Sequence, residues 1–143
     1  NRIMSNLSLE SRAIALENSL CASVDGAHAT HPNYSERHDL DHIIKLNEGI
    51  VIKRNANQRY ATDAVGEAIA KHICVDNGIP YQVFANRSDL SCGSTIGPAN
   101  AANLGVRTID LGIPQLSMHS AREMCGVKDQ HYLKVFCNSF LAG

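Results

Sequence analysis

Three side chains in the first quarter of the sequence have types and spacing that suit metal binding. Asp25, His28 and His31 follow the pattern Asp-x-x-His-x-x-His, and carboxylate and imidazole groups are ordinary ligands of zinc and similar divalent ions. On a regular strand, positions three apart point to opposite faces, so all three can face one ion only if the chain bends, for example at Gly26. Two interpretations stay open: a single-metal site, or one functional side chain with two others that hydrogen-bond locally.

Two further polar residues stand where a functional group is expected. Lys53 interrupts the apolar face of a short predicted strand, Ile50–Lys53. A lysine near a strand end can neutralise a substrate carboxylate, although such a side chain more commonly extends to water. His119 follows a segment that contains Pro114 and precedes a predicted helix start at Ser120. It is either a rigidly held functional side chain or a capping or surface histidine.

The sequence does not support catalysis by a serine or cysteine nucleophile. It contains no G-x-S-x-G motif, and Cys92 has no local motif that links it to a histidine. The run Gly93-Ser-Thr-Ile-Gly97 precedes a predicted helix, where backbone N–H groups can bind an anion. This run is neither a P-loop nor a G-x-G-x-x-G fingerprint, so it is weak evidence for an anion-binding site. Metal-assisted hydrolysis is therefore the reaction class that the sequence favours.

Composition excludes several classes of protein. The 143 residues fit one domain or a piece of one, and a start at Asn1 rather than Met suggests a piece. Lys plus Arg number 13 and Asp plus Glu 14, so no basic excess favours nucleic acid or an anionic membrane as the main partner. No apolar run approaches the roughly 18 residues that a membrane span needs. The five cysteines form no C-x-x-C pair, which favours free thiols in a reducing compartment such as the cytoplasm.

The pattern of apolar residues predicts an α/β fold with a mostly parallel or mixed sheet and helices on both faces. We expect polar segments 25–31, 87–95 and 114–119, each following a predicted strand, to converge in one cleft. Strands are predicted at 21–30, 50–53, 81–85 and 106–111, and residues 31–48 are predicted to be a long loop. Helices are predicted from Leu9 with Ser8 as its cap, from Thr62 to Gly78, from Pro98 to Gly105, from the Ser120/Glu123 capping box, and at the C-terminal end through Leu133, Phe136, Cys137, Phe140 and Leu141.

Six motifs in register give the sequence a family resemblance. They are Ser23-Val-Asp-Gly-Ala-His28, His31-Pro-Asn-Tyr34, Val51-Ile-Lys53, Gln58-Arg-Tyr-Ala-Thr62, Cys92-Gly-Ser-Thr-Ile-Gly-Pro98 and Met118-His-Ser-Ala-Arg-Glu-Met124. Together they closely resemble the C-terminal part of the aspartyl aminopeptidase family, which comprises dinuclear-zinc exopeptidases that remove acidic residues from peptide N-termini. The resemblance runs from about Ser23 to the end. It implies part of a three-layer zinc-exopeptidase fold.

The resemblance also implies roles for individual residues. Asp25 is implied as a ligand of one zinc that also borders the substrate, and His119 as a ligand of the other. His28, Lys53 and Tyr60 are implied to contact the substrate. Because a preference for Asp or Glu needs a fixed cation, Lys53 is the natural partner of the acidic side chain.

Family members are considerably longer and contain groups that the resemblance does not place in this chain. These are an upstream His ligand, an Asp that bridges the two zinc ions, a Glu-Glu pair that includes the general base, and an inserted dimerisation domain. Residues 1–143 are therefore expected to be the C-terminal portion of a catalytic domain that forms homo-oligomers when full length. The alternative is a non-catalytic structural or interaction domain derived from the same fold.

Overall fold

A computed structural model describes residues 2–143 as an α/β fold built on one mixed sheet. The strand order is β1-β4-β2-β3, with the short β5 paired to β4. The strands are β1 Leu20–His28, β2 Ile50–Arg54, β3 Tyr81–Ala85, β4 Arg107–Leu116 and β5 Met124–Cys125; the helices are α1 Leu9–Glu17, α2 Ala64–Asp76, α3 Gly97–Leu104 and α4 Val127–Ala142, with a 3₁₀ turn at Ser35–Arg37.

The sheet consists of two parallel pairs that run in opposite directions. Strand β1 is parallel to β4, and β2 is parallel to β3. Strands β2 and β4 meet antiparallel, with Val51 opposite Gly112 and Ile52 opposite Leu111. The predicted α/β class with a mixed sheet is confirmed. The carboxyl ends of β1 and β4 share one edge, whereas β2 and β3 end at the other.

Helices pack on both faces of this sheet, as predicted. On one face, α2 and α4 cover a core that includes Ile52, Leu111 and Phe136, each fully buried. On the other, α3 begins against Asp110, whose side chain alternates with those of Ile109 and Leu111. The rest of this second face is covered by the loops after β1 and β2, and its buried cluster comprises Ala27, Ala29, Ile44, Val51, Tyr60 and Phe84.

The loop that leads into β2 is tied to α4 by a buried carboxylate. Asp129 is 0% exposed, and its two oxygens accept backbone N–H bonds from Asn47 at 2.7 Å and from Gly49 at 2.9 Å. The Asn47 side chain in turn accepts from the Lys128 N–H at the start of α4. These bonds fix where β2 begins, and so hold the position of the side chains that β2 carries.

Several predicted elements need correction. Strand β4 continues past Pro114 to Leu116, because Pro114 lies beyond the two rungs that β4 shares with β2 and so removes no bond from that ladder. The Ser120/Glu123 pair begins no helix; Glu123 instead accepts the His119 N–H, and α4 starts at Val127.

Helix α2 also differs from its prediction in its cap and in the face it buries. Asp63, not Thr62, caps the helix, accepting from the Gly66 N–H at 2.6 Å. Its buried residues are Gly66, Ala70 and Cys74, since these small side chains allow close approach to β4. The spacing of Val65, Ala68, Ile69, His72 and Ile73 predicts a different apolar face, which is wrong for His72, since that side chain is exposed beside Asp76. Over residues 2–143, no helix combines the length and the apolar character that crossing a membrane requires.

Candidate metallopeptidase site

The site is built around Asp25, three residues before the end of β1. Asp25 lies opposite Gly112 on β4, and a Cβ at Gly112 would stand 1.7 Å from the Asp25 carbonyl oxygen. Only glycine therefore allows the two strands to approach this closely here. The Asp25 side chain is 47% exposed, so its carboxylate is presented at the surface from a rigid strand.

Lys53 projects from β2 towards that carboxylate. Its Nζ forms an ion pair with Asp25 Oδ1 and donates to the Gly26 carbonyl oxygen at 3.1 Å. Lys53 is 1% exposed, so the expectation that it extends to water is wrong. The fixed carboxylate and carbonyl compensate for the loss of hydration that burial of an ammonium group entails.

Tyr60 completes the surroundings of the Lys53 ammonium. Its ring centroid lies 5.3 Å from Lys53 Nζ, within the range of a cation–π contact, and it packs edge-on against Phe84. Burial, together with a hydrogen bond to Cys92, raises the pKa of the Tyr60 hydroxyl above its ordinary value. The hydroxyl is therefore protonated at neutral pH.

Asp110, which sequence reasoning missed, holds the loop that carries Tyr60. It is fully buried on β4, and its carboxylate accepts from the Ala61 N–H and the Thr95 hydroxyl, both at 2.6 Å. Its backbone N–H donates to the Thr62 hydroxyl at 2.8 Å. The available signal was an aspartate between Ile109 and Leu111 within the predicted strand, since a charge buried there needs several partners.

His28 stands at the end of β1, where the other groups of the site influence it. Its pKa is lowered by burial first, then by the nearby His119 and Lys53, while Asp25 acts in the opposite direction. His119, Lys53 and Asp25 are thus each close enough to His28 to act on its charge. The His28 ring also lies 6.3 Å from that of Phe84, measured between centroids.

His119 follows β4 in an exposed turn rather than at the start of a helix. Its backbone adopts φ 67°, and its N–H donates to Glu123 Oε1 at 2.6 Å. Because β1 and β4 are parallel, His119 and the Asp25–His28 segment lie towards the same edge of the sheet. His119 is therefore held by a hydrogen-bonded turn and not by the helix that was predicted to begin at Ser120.

The three predicted polar segments converge on His28. One cavity is bordered by His28, His31 and residues 115–118, and an adjoining cavity is bordered by His28 together with Arg87 and Ser91. The predicted convergence in one cleft is confirmed in part, because the segments meet at two adjoining cavities that share His28 and neither cavity is lined by all three. Segment 87–95 arrives by way of its loop, because β3 itself ends at the opposite edge from β1 and β4.

The donor set suits zinc but is incomplete. Within the part of the chain that the structure describes, no group of three or more His, Cys, Asp or Glu side chains is placed to hold a metal ion. The interpretation of Asp25, His28 and His31 as one three-ligand site is therefore wrong; β1 runs straight through Gly26, and His31 packs against Tyr34. Catalytic zinc normally takes three protein ligands. The half-exposed Asp25 carboxylate and the exposed His119 imidazole are of the types that zinc binds, but two ligands alone do not complete a catalytic zinc site.

The chain is similar to known proteins over nearly its whole length. Residues 1–141 match the sequence model of the family described as aminopeptidase I zinc metalloprotease (M18). A probable M18 family aminopeptidase 2 of Pseudomonas fluorescens is 50% identical over 127 residues, which are 89% of this chain and 30% of the relative. The chain thus spans about three tenths of the length of the curated relatives it matches.

Solved structures agree with the sequence matches. The cryo-EM structure of the Ape4 and Nbr1 complex matches with a TM-score of 0.90 and 50% identity, over 94% of this chain and 26% of that chain. The S. cerevisiae mApe1 dodecamer matches with a TM-score of 0.81 and 37% identity, over 92% of this chain and 28% of that chain.

Proposed function

This chain belongs to the M18 family of zinc aminopeptidases, and on that basis we propose that it is the C-terminal portion of a catalytic domain that removes N-terminal Asp or Glu from peptides. The buried Lys53 beside Asp25 and Tyr60 carries the proposal, because it is a fixed cation at the predicted substrate site. Its Nζ has three N–H groups, of which Asp25 and Gly26 take two. Within residues 2–143 the third makes no hydrogen bond, and in this proposal it binds a substrate carboxylate that enters beside the Tyr60 ring.

The other predicted site residues take the remaining roles in this proposal. Asp25 and His119 each supply one ligand to a pair of zinc ions, and the longer parent chain supplies the rest, including the general base. Zinc, when bound, polarises the scissile carbonyl and lowers the pKa of a bound water. Tyr60, kept protonated by burial, donates a hydrogen bond to the substrate, and His28 orients the peptide next to the predicted ligands.

We also propose a cellular compartment, an oligomeric state and a ligand for the enzyme. All five cysteines are free, which supports a reducing compartment and hence the cytoplasm. The similarity to a dodecameric aminopeptidase supports a homo-oligomer. The inserted dimerisation domain lies outside this chain in the proposal, and the ligand is a peptide with an N-terminal acidic residue.

A hybrid enzyme tests the proposed function. This chain replaces the matching 127-residue segment of the Pseudomonas fluorescens relative, and hydrolysis of Asp-p-nitroanilide and Leu-p-nitroanilide is measured with zinc present. We expect the hybrid to hydrolyse both, with a higher kcat/KM for the Asp substrate. The upstream segment of the relative alone, which lacks Asp25 and His119, is the control and is expected to be inactive.

Two unfavourable outcomes of the hybrid experiment lead to different conclusions. A folded hybrid that binds zinc and cleaves neither substrate would favour the alternative, a non-catalytic structural or interaction domain. Equal kcat/KM values for the Asp and Leu substrates would support the proposed aminopeptidase activity and contradict its proposed preference for acidic residues.

A further inference from the structure

Two adjoining cavities extend away from the predicted site and share part of their lining. Their volumes are about 310 and 480 Å³, and His28, Arg37 and His38 line both. Cavities of this size are in the range that holds small ligands. The larger one reaches Met118, next to the predicted zinc ligand His119. Lys53 and Tyr60 line neither, so this space is separate from the predicted position of the acidic side chain.

Apart from Tyr34, the ionisable side chains that line the two cavities are all arginine or histidine. Arg87 joins the shared residues in the smaller cavity and His31 in the larger, and no Asp or Glu lines either one. A third cavity nearby shows the contrast, because Arg54 there is accompanied by Asp63 and Glu67. In a chain with slightly more acidic than basic residues, this separation of charge favours an anionic ligand.

Arg37 is the cation of this lining that is left for a ligand. Arg87 is engaged by Asp89, with Nε–Oδ1 at 2.9 Å and Nη2–Oδ2 at 2.5 Å, and it also bonds the Glu36 carbonyl oxygen. Within residues 2–143, Arg37 has no carboxylate within ion-pair distance, and its guanidinium lies 5.9 Å from the Tyr34 ring centroid.

The acidic residues next to Arg37 do not occupy its guanidinium. Asp39 is paired with His42 at 3.0 Å. Glu36 makes no ion pair within the described range, and it contributes only its backbone oxygen, to Arg87. His38, also in this lining, has its pKa lowered by burial and by the neighbouring His28 and His31. Arg37 therefore carries the permanent charge.

We propose that Arg37, with His38 beside it, binds a carboxylate on the leaving-group side of the scissile bond. This inference rests on the proposed function. The carboxylate is either the free C-terminus of a dipeptide or the acidic side chain of the second residue, since both place the same group beyond His28. The peptide lies with its N-terminal residue towards Lys53 and its second residue along the shared lining. A planar guanidinium suits this ligand because it can donate two parallel hydrogen bonds to a carboxylate.

Binding to the 143-residue chain tests this inference without turnover. The ¹⁵N-labelled chain is titrated at low ionic strength with Ala-Ala, Ala-Glu-amide and Ala-Ala-amide, and NMR shifts of backbone residues 36–38 and of the Arg37 Nε–H are recorded. We expect Ala-Ala, Ala-Glu-amide or both to shift these signals, and Ala-Ala-amide to leave them unchanged. Whichever of the first two binds identifies the source of the carboxylate.

Variants separate a specific contact from general charge. Arg37→Gln is expected to raise the Kd about tenfold at low salt, and Arg37→Lys less, since it keeps the charge without the planar fork. Lys134→Gln removes one charge from the exposed side of α4 and is the matched control, expected to change nothing.

Three results would overturn the inference: no shifts with either carboxylate ligand, equal shifts with Ala-Ala-amide, or an unchanged Kd in Arg37→Gln. An inactive hybrid enzyme counts against the proposed function alone, because this titration measures only binding.

Discussion

Replacing His119 with alanine in the hybrid enzyme is expected to lower kcat/KM by more than about a hundredfold, while the chain remains folded. The proposed zinc ligand is lost, and loss even of a group that only supports a ligand costs about 10- to 100-fold. The fold is expected to persist because the side chain is exposed, and within residues 2–143 its imidazole makes no hydrogen bond. Steady-state kinetics with Asp-p-nitroanilide and circular dichroism measure the two effects.

The backbone at His119 calls for a second variant. Its φ of 67° lies in the left-handed region, where alanine is less favourable than asparagine. His119→Asn is therefore expected to lose activity equally with less strain. His131→Ala, on the exposed side of α4, is the matched control and is expected to retain full activity. Activity within about threefold of wild type in both His119 variants would remove the proposed ligand role.

Replacing Lys53 with methionine is expected to lower kcat/KM for Asp-p-nitroanilide about a hundredfold, and for Leu-p-nitroanilide by less than about threefold. A hydrogen bond to a charged group is worth about 1.5–3 kcal/mol, and only the acidic substrate makes this one. Methionine occupies a similar volume in the buried position. The Asp25 carboxylate left behind is 47% exposed and stays hydrated, so stability is expected to change by about 1 kcal/mol or less.

Zinc content and a matched variant complete this experiment. Because Lys53 also pairs with Asp25, zinc in Lys53→Met is measured and is expected to equal that of wild type. Lys134→Met, an identical substitution at an exposed position of α4, is expected to alter neither substrate. An equal loss for the Asp and Leu substrates would show that Lys53 does not determine specificity.

Local patterns predicted most of the elements, because they depend on neighbouring residues. Ser8 caps α1 as its type and position indicate, and Gly105 ends α3 in the left-handed conformation that favours glycine. The Ser120/Glu123 pair fits a helix start equally well locally. In the structure, Glu123 accepts the His119 N–H within a turn, and sequence spacing does not distinguish this bond from a helix cap.

The candidate site depends more on contacts between distant segments. The burial of Lys53 follows from Asp25 and Gly26 on a different strand, which single-strand reasoning does not include. Asp110 was missed for the same reason, since its partners lie 49 and 15 positions away along the chain. The family resemblance supplied what periodicity did not, namely which polar residues to consider together.

Strand direction accounts for only part of the predicted convergence of the three polar segments. Parallel order was expected to bring all three polar segments to one edge, and it does so for those after β1 and β4. The segment after β3 starts from the other edge, yet its loop returns to the cavity beside His28.

In the proposed enzyme, this chain supplies one ligand to each of two neighbouring zinc ions. Anomalous diffraction at the zinc edge, from crystals of the zinc-loaded hybrid enzyme, locates both ions and so tests this arrangement. We expect two zinc peaks, one about 2.0–2.2 Å from an Asp25 carboxylate oxygen and the other about 2.0–2.1 Å from a His119 ring nitrogen. Zinc peaks that contact neither residue, or Asp25 and His119 too far apart to reach neighbouring ions, would contradict it.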